Sequence, residues 1–205
     1  MVTRAVSSYR RGGAVFKAQP TVLVVCEDST GGKVYLEDAA QHFRAHVSIK
    51  VTHCGHTDPK GIVQAALKQS RNFEKIFCVI DRDTHPSFDE AIALARTSNK
   101  IVMIVSNPCS EFWYFLHYSR QRRSYTRIGN RSPGEQQVAA LREHLPLYGK
   151  GIKGLFKELI NRLPEARRNA EIILAAAELD GNMNPSTRIH ELLKFMEELA
   201  TPVTL

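Results

Sequence analysis

Four short runs of apolar, largely β-branched residues mark the first half of the chain. They occupy residues 22–26, 47–51, 76–80 and 101–105. The second run alternates apolar and polar positions, whereas the other three are continuously apolar and stop at acidic or turn-forming residues. Continuous runs of this length are typical of strands that are buried on both faces of a sheet. The pattern therefore predicts four strands.

Between these strands, apolar residues recur every three or four positions, which places each set on one face of a helix. The sets are Tyr35, Leu36, Ala39, Ala40 and Phe43; Ile62, Val63, Ala66 and Leu67; and Phe88, Ala91, Ile92 and Ala95. Strands that alternate with helices predict an α/β fold, with a mostly parallel sheet and helices on both faces. Such sheets bind ligands beyond the carboxyl ends of their strands.

After residue 110 the pattern indicates helices alone. We predict an aromatic-rich helix over 112–118 and further helices near 133–144, 151–162, 165–180 and 187–200, the last one capped by the Ser186-Thr187 pair. Residues 1–20 carry Arg4, Arg10, Arg11, Lys17 and a Gly-Gly pair. We therefore expect a basic flexible arm over 1–20, an α/β core over 21–118, and a helical C-terminal part over 119–205 that belongs to the same domain.

Composition narrows the class of protein. The 205 residues contain no long uncharged apolar run and no signal-peptide pattern, so we expect a soluble cytoplasmic protein with no membrane segment. A net charge of +7 favours a polyanionic partner such as nucleic acid. The four cysteines, Cys26, Cys54, Cys78 and Cys109, form no CxxC pair, and we expect reduced core thiols rather than a zinc site.

Polar and acidic groups follow three of the predicted strands. Glu27 and Asp28 follow the first, Asp81 and Asp83 the third, and Ser106-Asn107 the fourth, with Glu111 one turn further on. The carboxyl ends of parallel strands share one edge, so these acids are expected to converge. Clustered carboxylates repel one another unless a cation lies among them, and oxygen ligands suit Mg²⁺ or Mn²⁺. The alternative is that these acids only cap helices and terminate strands.

Several motifs, taken together, resemble the RloB-like family. They are residues 24–29 (Val-Val-Cys-Glu-Asp-Ser) with Tyr35 eight positions after Glu27, then Asp81-Arg82-Asp83, residues 106–113 (Ser-Asn-Pro-Cys-Ser-Glu-Phe-Trp) and residues 184–187 (Asn-Pro-Ser-Thr). This family is similar to the Toprim domain of topoisomerases, primases and OLD-type nucleases. The resemblance implies a Toprim-like fold and a role in phage defence.

By the same resemblance, Glu27, Asp81 and Asp83 would bind Mg²⁺ or Mn²⁺ beside a phosphodiester and act in catalysis. The position of Glu111 after the fourth strand makes it a further candidate ligand. Many members have Glu-Gly at the first motif and a Thr-Glu pair just before the tyrosine. Residues 28–32 of this chain, Asp-Ser-Thr-Gly-Gly, lack that second acid. A component of a defence or restriction locus that binds nucleic acid or a partner without catalysis therefore remains the alternative.

A nuclease also needs cations that hold the other phosphates of its substrate. The candidates are Lys33, Arg82, Arg120, Arg122, Arg123 and Arg127, although the last four also fit a solvated helix face. Trp113 and Tyr125 fit either base stacking or core packing, and core packing is the usual role of a tryptophan in an aromatic helix. The expected partners are tRNA or DNA, together with an ATPase or restriction-system protein; the sequence predicts no oligomeric state.

Three other interpretations explain fewer residues. Residues 29–33, Ser-Thr-Gly-Gly-Lys, resemble part of a P-loop but lack its first glycine and its final Ser or Thr. His53, Cys54 and His56 have zinc-ligand chemistry but no partner pair elsewhere in the chain. A receiver-like phosphorylation switch would use Asp81 as phosphoacceptor and Ser106 as switch hydroxyl, but leaves Asp83 and Glu111 unexplained.

Overall fold

The computed structural model describes residues 21–43, 48–82 and 85–200. Its sheet contains β1 (Thr21–Cys26), β2 (Ser48–His53), β3 (Lys75–Asp81), β4 (Ile101–Asn107) and the short β5 (Ser186–Thr187). The order in the sheet is β2-β1-β3-β4-β5, and all neighbouring pairs are parallel except β4 and β5. The predicted α/β fold with a mostly parallel sheet is confirmed. The predicted basic arm lies outside the described residues.

The helices follow the predicted order with shifted bounds. They are α1 (Gly31–His42), α2 (Pro59–Gln69), α3 (Phe88–Ala95), α4 (Glu111–Phe115), α5 (Pro133–Arg142), α6 (Leu155–Leu159), α7 (Leu163–Asp180) and α8 (Ile189–Ala200), with a 3₁₀ turn at Ile160–Arg162. No helix in the described ranges is long and apolar enough to cross a membrane. The helix predicted over 151–162 begins only at Leu155, because residues 149–154 form a glycine-rich turn.

Alternate residues of the strands point to opposite faces of the sheet. Val22, Val24 and Val79 pack with α1 and the C-terminal helices in one apolar cluster. Leu23, Val25 and Ile80 pack with α2 and α3 in the other. Burial on both faces explains why β1 and β3 are apolar throughout.

The C-terminal helices share the first of these clusters with the sheet. Phe112, Trp113 and Phe115 of α4 lie beside Leu192 and Met196 of α8 in the same buried cluster. Trp113 is fully buried, and its indole Nε1 donates a hydrogen bond to the hydroxyl oxygen of Tyr35 over 2.8 Å. The core interpretation of Trp113 is therefore the one that the structure supports.

Ser186 and Thr187 form a strand, which the sequence pattern did not predict. The Thr187 hydroxyl lies 2.8 Å from that of Ser106, and both residues are buried. Thr187 Oγ1 also accepts from the backbone N–H of Ile189 over 3.3 Å, so part of the expected capping chemistry is present as well. Ser106 is thus occupied in joining β4 to β5, which leaves the receiver-like hypothesis without its switch hydroxyl.

Candidate active site at the carboxyl edge of the sheet

Two acidic strand ends meet where the strand order reverses. The chain leaves β1 through α1 on one face of the sheet and reaches β3 through α2 on the other face. A crevice therefore opens between the carboxyl ends of β1 and β3. Glu27 directly follows β1, and Asp81 is the last residue of β3. Glu27 Oε2 accepts a hydrogen bond from the backbone N–H of Asp81 over 2.9 Å. The structure therefore brings these two predicted residues into direct contact.

The Asp81 carboxylate lies in an acidic environment. The hydroxyl of Ser110, the residue just before α4, donates to Asp81 Oδ1 over 2.6 Å. Loss of solvent and the neighbouring charges of Glu111 and Glu27 nevertheless raise the pKa of Asp81 well above its ordinary value, and the hydrogen bond from Ser110 only partly opposes this. The ionised form of Asp81 is therefore electrostatically unfavourable at this position.

The pKa of Glu27 is also raised, but more neighbouring groups oppose the rise. Burial raises its pKa, while the Asp81 backbone N–H and His85 oppose the rise. His85 Nε2 lies 3.4 Å from Glu27 Oε1, and the Glu27 side chain is 19% exposed. A carboxylate with a raised pKa accepts a proton more readily than an ordinary glutamate does.

Glu111 adds a third carboxylate to the same crevice. It begins α4, only 4% of its surface is exposed, and its Oε1 accepts from the hydroxyl of Tyr148 over 3.0 Å. Lys150 Nζ lies 4.0 Å from the same oxygen. The charge of Glu111 raises the pKa of Lys150, while burial and Glu111 together raise the pKa of Tyr148. Tyr148 therefore keeps its proton and donates a hydrogen bond to the carboxylate.

The three acids open onto a cavity of about 380 Å³ between the sheet edge and α5. The residues that line it are Glu27, Asp81, Pro108, Cys109, Glu111, Ser132, Gly134, Glu135, Val138, Ala139, Arg142 and Lys150. A smaller pocket of about 80 Å³ adjoins it beside Asp28 and Ser110. Glu27, Asp81 and Glu111 come from the sheet edge and the start of α4, Glu135 and Arg142 from α5, and Lys150 from the segment after it.

Asp28 lines the smaller pocket, and its carboxylate is bound to the backbone at the start of α1. Its Oδ1 accepts from the backbone N–H of Thr30 over 3.1 Å, and its Oδ2 accepts from that of Gly32 over 3.2 Å. The first turn of α1 is thereby closed by a carboxylate. Since a P-loop would offer those N–H groups to a phosphate, this geometry argues against the P-loop alternative.

The family model described as RloB-like protein matches residues 22–196. The chain belongs to the RloB-like family. No curated protein and no solved structure is significantly similar to it. Three of the motifs that carried the resemblance converge in space, since the first contains Glu27, the second begins with Asp81, and the third supplies Ser110 and Glu111.

The ligand chemistry of this RloB-like protein fits a hard divalent cation. Within the described residues, no three His, Cys, Asp or Glu side chains form a group that could hold an ion. Asp83, a predicted ligand, lies outside them. Mg²⁺ commonly takes one or two carboxylates and completes its shell with water and substrate phosphate. Glu27 and Asp81 meet that requirement, and a cation beside them would relieve the repulsion that raises the pKa of Asp81.

The structure places the predicted phosphate-binding residues elsewhere. Lys33 pairs with Glu37 over 2.6 Å, and the Arg82 guanidinium lies 4.0 Å above the ring of Phe88. The other four do not lie on a helix, as the sequence had suggested, but on an irregular segment after α4: Arg120, Arg122, Arg123 and Arg127. Of the residues that the structure describes, the cavity lining includes none of these six.

Other candidates also have local roles. Tyr125 is only 4% exposed, and the guanidinium of Arg123 lies 5.5 Å from its ring centre, so the ring is not open for base stacking. His53 Nδ1 lies 3.1 Å from the carbonyl oxygen of Cys26. The four cysteines, all within the described ranges, are free thiols, and Cys26, Cys78 and Cys109 are buried.

Sequence patterns missed Ser110, Arg142, Tyr148 and Lys150 as members of this site. Arg142, Tyr148 and Lys150 follow the end of β4 by 35 residues or more, in a region where only helical periodicity was interpreted. One signal was available, because Lys150 stands between Gly149 and Gly151. Binding residues are disproportionately found on loops that a rigid scaffold positions, so a lysine in this turn was a candidate.

Proposed function

We propose that this RloB-like protein is a metal-dependent phosphodiesterase of the Toprim type that cuts RNA or DNA in bacterial antiphage defence. Among RNA substrates, tRNA is the candidate. The observation that carries the proposal is the hydrogen bond from the Asp81 backbone N–H to the Glu27 carboxylate, which holds two acids with raised pKa values together at the switch point of the sheet, beside a cavity. Family membership and the basic charge of the chain are consistent with it.

In this proposal, Glu27 and Asp81 hold Mg²⁺ or Mn²⁺, with Asp83 and Glu111 as the further ligands that the sequence motifs name. The bound cation would neutralise the phosphodiester and polarise a water molecule. Ser110 fixes the orientation of Asp81 through its 2.6 Å hydrogen bond. Glu27 accepts the proton of the attacking water, and His85, 3.4 Å away, supports the charge of Glu27.

The test combines cation binding and cleavage. Mn²⁺ and Mg²⁺ binding is measured by calorimetry on the wild-type protein, Glu27→Gln and Asp81→Asn, and the same samples are incubated with tRNA and single-stranded DNA. Asp180→Asn is the matched control, because Asp180 lies at the exposed end of α7. We expect both site variants to lose cation binding and at least about 100-fold in cleavage rate, whereas the control keeps both.

A non-catalytic recognition protein is the second candidate. It is favoured by the use of Asp28 as a helix cap and by the missing second acid of the family motif. Wild-type protein that binds tRNA or DNA but binds neither cation would establish this candidate and refute the nuclease. A partner ATPase or restriction-system protein is expected under both candidates, so the experiment is repeated with any such partner encoded at the same locus.

A further inference from the structure

A lysine that the proposed mechanism has not used projects into the crevice. Lys150 lies in the turn between α5 and α6 and lines both the larger and the smaller pocket. Gly151 has a φ of 80°, a conformation that favours glycine, and Gly149 precedes the lysine. The local sequence thus allows the backbone to turn sharply at the position where the lysine enters the site.

This turn is fastened on several sides. Arg142 Nε donates to the carbonyl oxygen of Tyr148 over 3.1 Å, and the Tyr148 hydroxyl donates to Glu111 over 3.0 Å. The backbone N–H of Gly154 donates to Asp38 Oδ2 of α1 over 3.2 Å. A Cβ at Gly151 would lie 3.4 Å from that of Thr30, so the turn packs closely on the first-strand loop. The position of Lys150 follows from these contacts.

The ammonium group of Lys150 lies near the Glu111 carboxylate but does not form a hydrogen bond with it. Its Nζ lies 4.0 Å from Glu111 Oε1, which is longer than a hydrogen bond, and its side chain is 62% exposed. Arg142 lines the same cavity. The cavity therefore has an acidic wall made by Glu27, Asp81 and Glu111, and a facing basic wall with Arg142 and Lys150, on which the carboxylate of Glu135 accepts a hydrogen bond from the backbone N–H of Ser132.

We propose that Lys150, supported by Arg142, is the cation that binds the phosphate of a nucleic-acid strand in this cavity. The inference rests on the proposed function and deepens it. A phosphodiester cannot approach three carboxylates without positive charge on its other side, and the basic wall supplies this charge at the site itself. The more distant arginines of residues 120–127 do not line the cavity in the described part of the chain.

The test measures the binding of a thymidine dinucleotide in Ca²⁺ buffer by calorimetry, together with its methylphosphonate analogue, which lacks the phosphate charge. Lys150→Gln should weaken binding of the dinucleotide about tenfold or more and leave the methylphosphonate unaffected. Lys150→Arg should restore affinity to within about threefold, because the charge is retained. Lys153→Gln, an exposed lysine three residues further on, is the matched control and should bind as the wild type does.

Unchanged dinucleotide binding in Lys150→Gln, an equal loss in Lys153→Gln, or wild-type protein that does not bind the dinucleotide would each overturn the inference. The methylphosphonate shows whether Lys150→Gln is still folded around its cavity. Failure of the nuclease proposal gives a different result: dinucleotide binding depends on Lys150, while tRNA and DNA remain uncut. If cleavage depends on Asp81 but neither binding nor cleavage depends on Lys150, the nuclease proposal stands and this inference falls.

Discussion

Two aspartates at the ends of secondary-structure elements have opposite surroundings. Asp180 ends α7 and accepts two hydrogen bonds from the Arg122 guanidinium, at 2.6 and 2.9 Å. These bonds lower the pKa of Asp180 to about 2. Asp81 ends β3 among Glu27 and Glu111, and its pKa is raised. The charge of Asp180 is matched by an arginine, whereas among the described residues Asp81 forms no ion pair and lies near two other acids, so its charge is unmatched.

The matched aspartate belongs to a structural junction. Asp180 and Arg122 join the end of α7 to the segment after α4, and the Asn184 side chain continues the junction through two hydrogen bonds to the backbone of Tyr125, at 3.1 and 2.7 Å. The Ser124 hydroxyl donates to the Asn184 carbonyl oxygen over 2.8 Å. The difference teaches that an arginine-rich segment can be structural, while an acid that forms no ion pair among the described residues is the better guide to the candidate site.

The largest expected effect is stabilisation of the folded protein by a divalent cation bound beside Asp81. If a divalent cation binds at Glu27 and Asp81, Mg²⁺ at about 100 times its dissociation constant should stabilise the folded wild-type protein by about 2.7 kcal/mol. The melting temperature, measured by calorimetry with and without Mg²⁺, should rise accordingly. Asp180→Asn should show the same rise and Asp81→Asn none; a rise in all three would place the ion elsewhere.

The next effect is that removal of the unmatched charge stabilises the protein without metal. Asp81→Asn keeps an oxygen that accepts the Ser110 hydrogen bond but removes the repulsion from Glu27 and Glu111. We expect the free energy of unfolding at neutral pH to rise by about 1 kcal/mol, as is typical when a functional strain is relieved. Urea unfolding of wild type and variant in EDTA measures this difference. A destabilised Asp81→Asn would mean that the carboxylate is structurally matched after all.

Sequence patterns predicted the sheet more completely than the site. Apolar runs placed β1 and β3, which are buried on both faces, and β4, which is partly buried, and the acids at the ends of β1 and β3 identified Glu27 and Asp81. The two-residue strand β5 escaped, because a period of two cannot be recognised over two residues. It exists only because Ser186 and Thr187 pair with the end of β4.

The residues that the sequence missed reach the site through tertiary packing. Tyr148 and Lys150 lie in a turn between helices, and only the packing of α5 against α4 and of the turn against Thr30 brings them to Glu111. No local periodicity encodes such an approach. For the arginines of residues 120–127 the sequence suggested a binding role instead, because they cluster along the chain. In the structure Arg122 pairs with Asp180.

A smaller effect is the pH dependence of stability. The raised pKa of Asp81 means that the folded state binds more protons than the unfolded state between the ordinary aspartate value and the raised one. The free energy of unfolding should therefore fall as pH rises through this window, and Glu27 adds to the fall. Urea unfolding in EDTA at several pH values should give a shallower slope for Asp81→Asn. Identical slopes would show that Asp81 titrates normally.

The smallest effect belongs to the matched aspartate. The lowered pKa of Asp180 means that its ionised form favours the folded state, and this contribution is present above the ordinary aspartate value and is lost as pH falls through about 2. Because the pair is solvent-exposed, Asp180→Asn should lower the melting temperature only slightly at neutral pH. Mg²⁺ binding and dinucleotide affinity should not change. A loss of either would mean that the junction positions the crevice, and that the matched and unmatched aspartates act in one system.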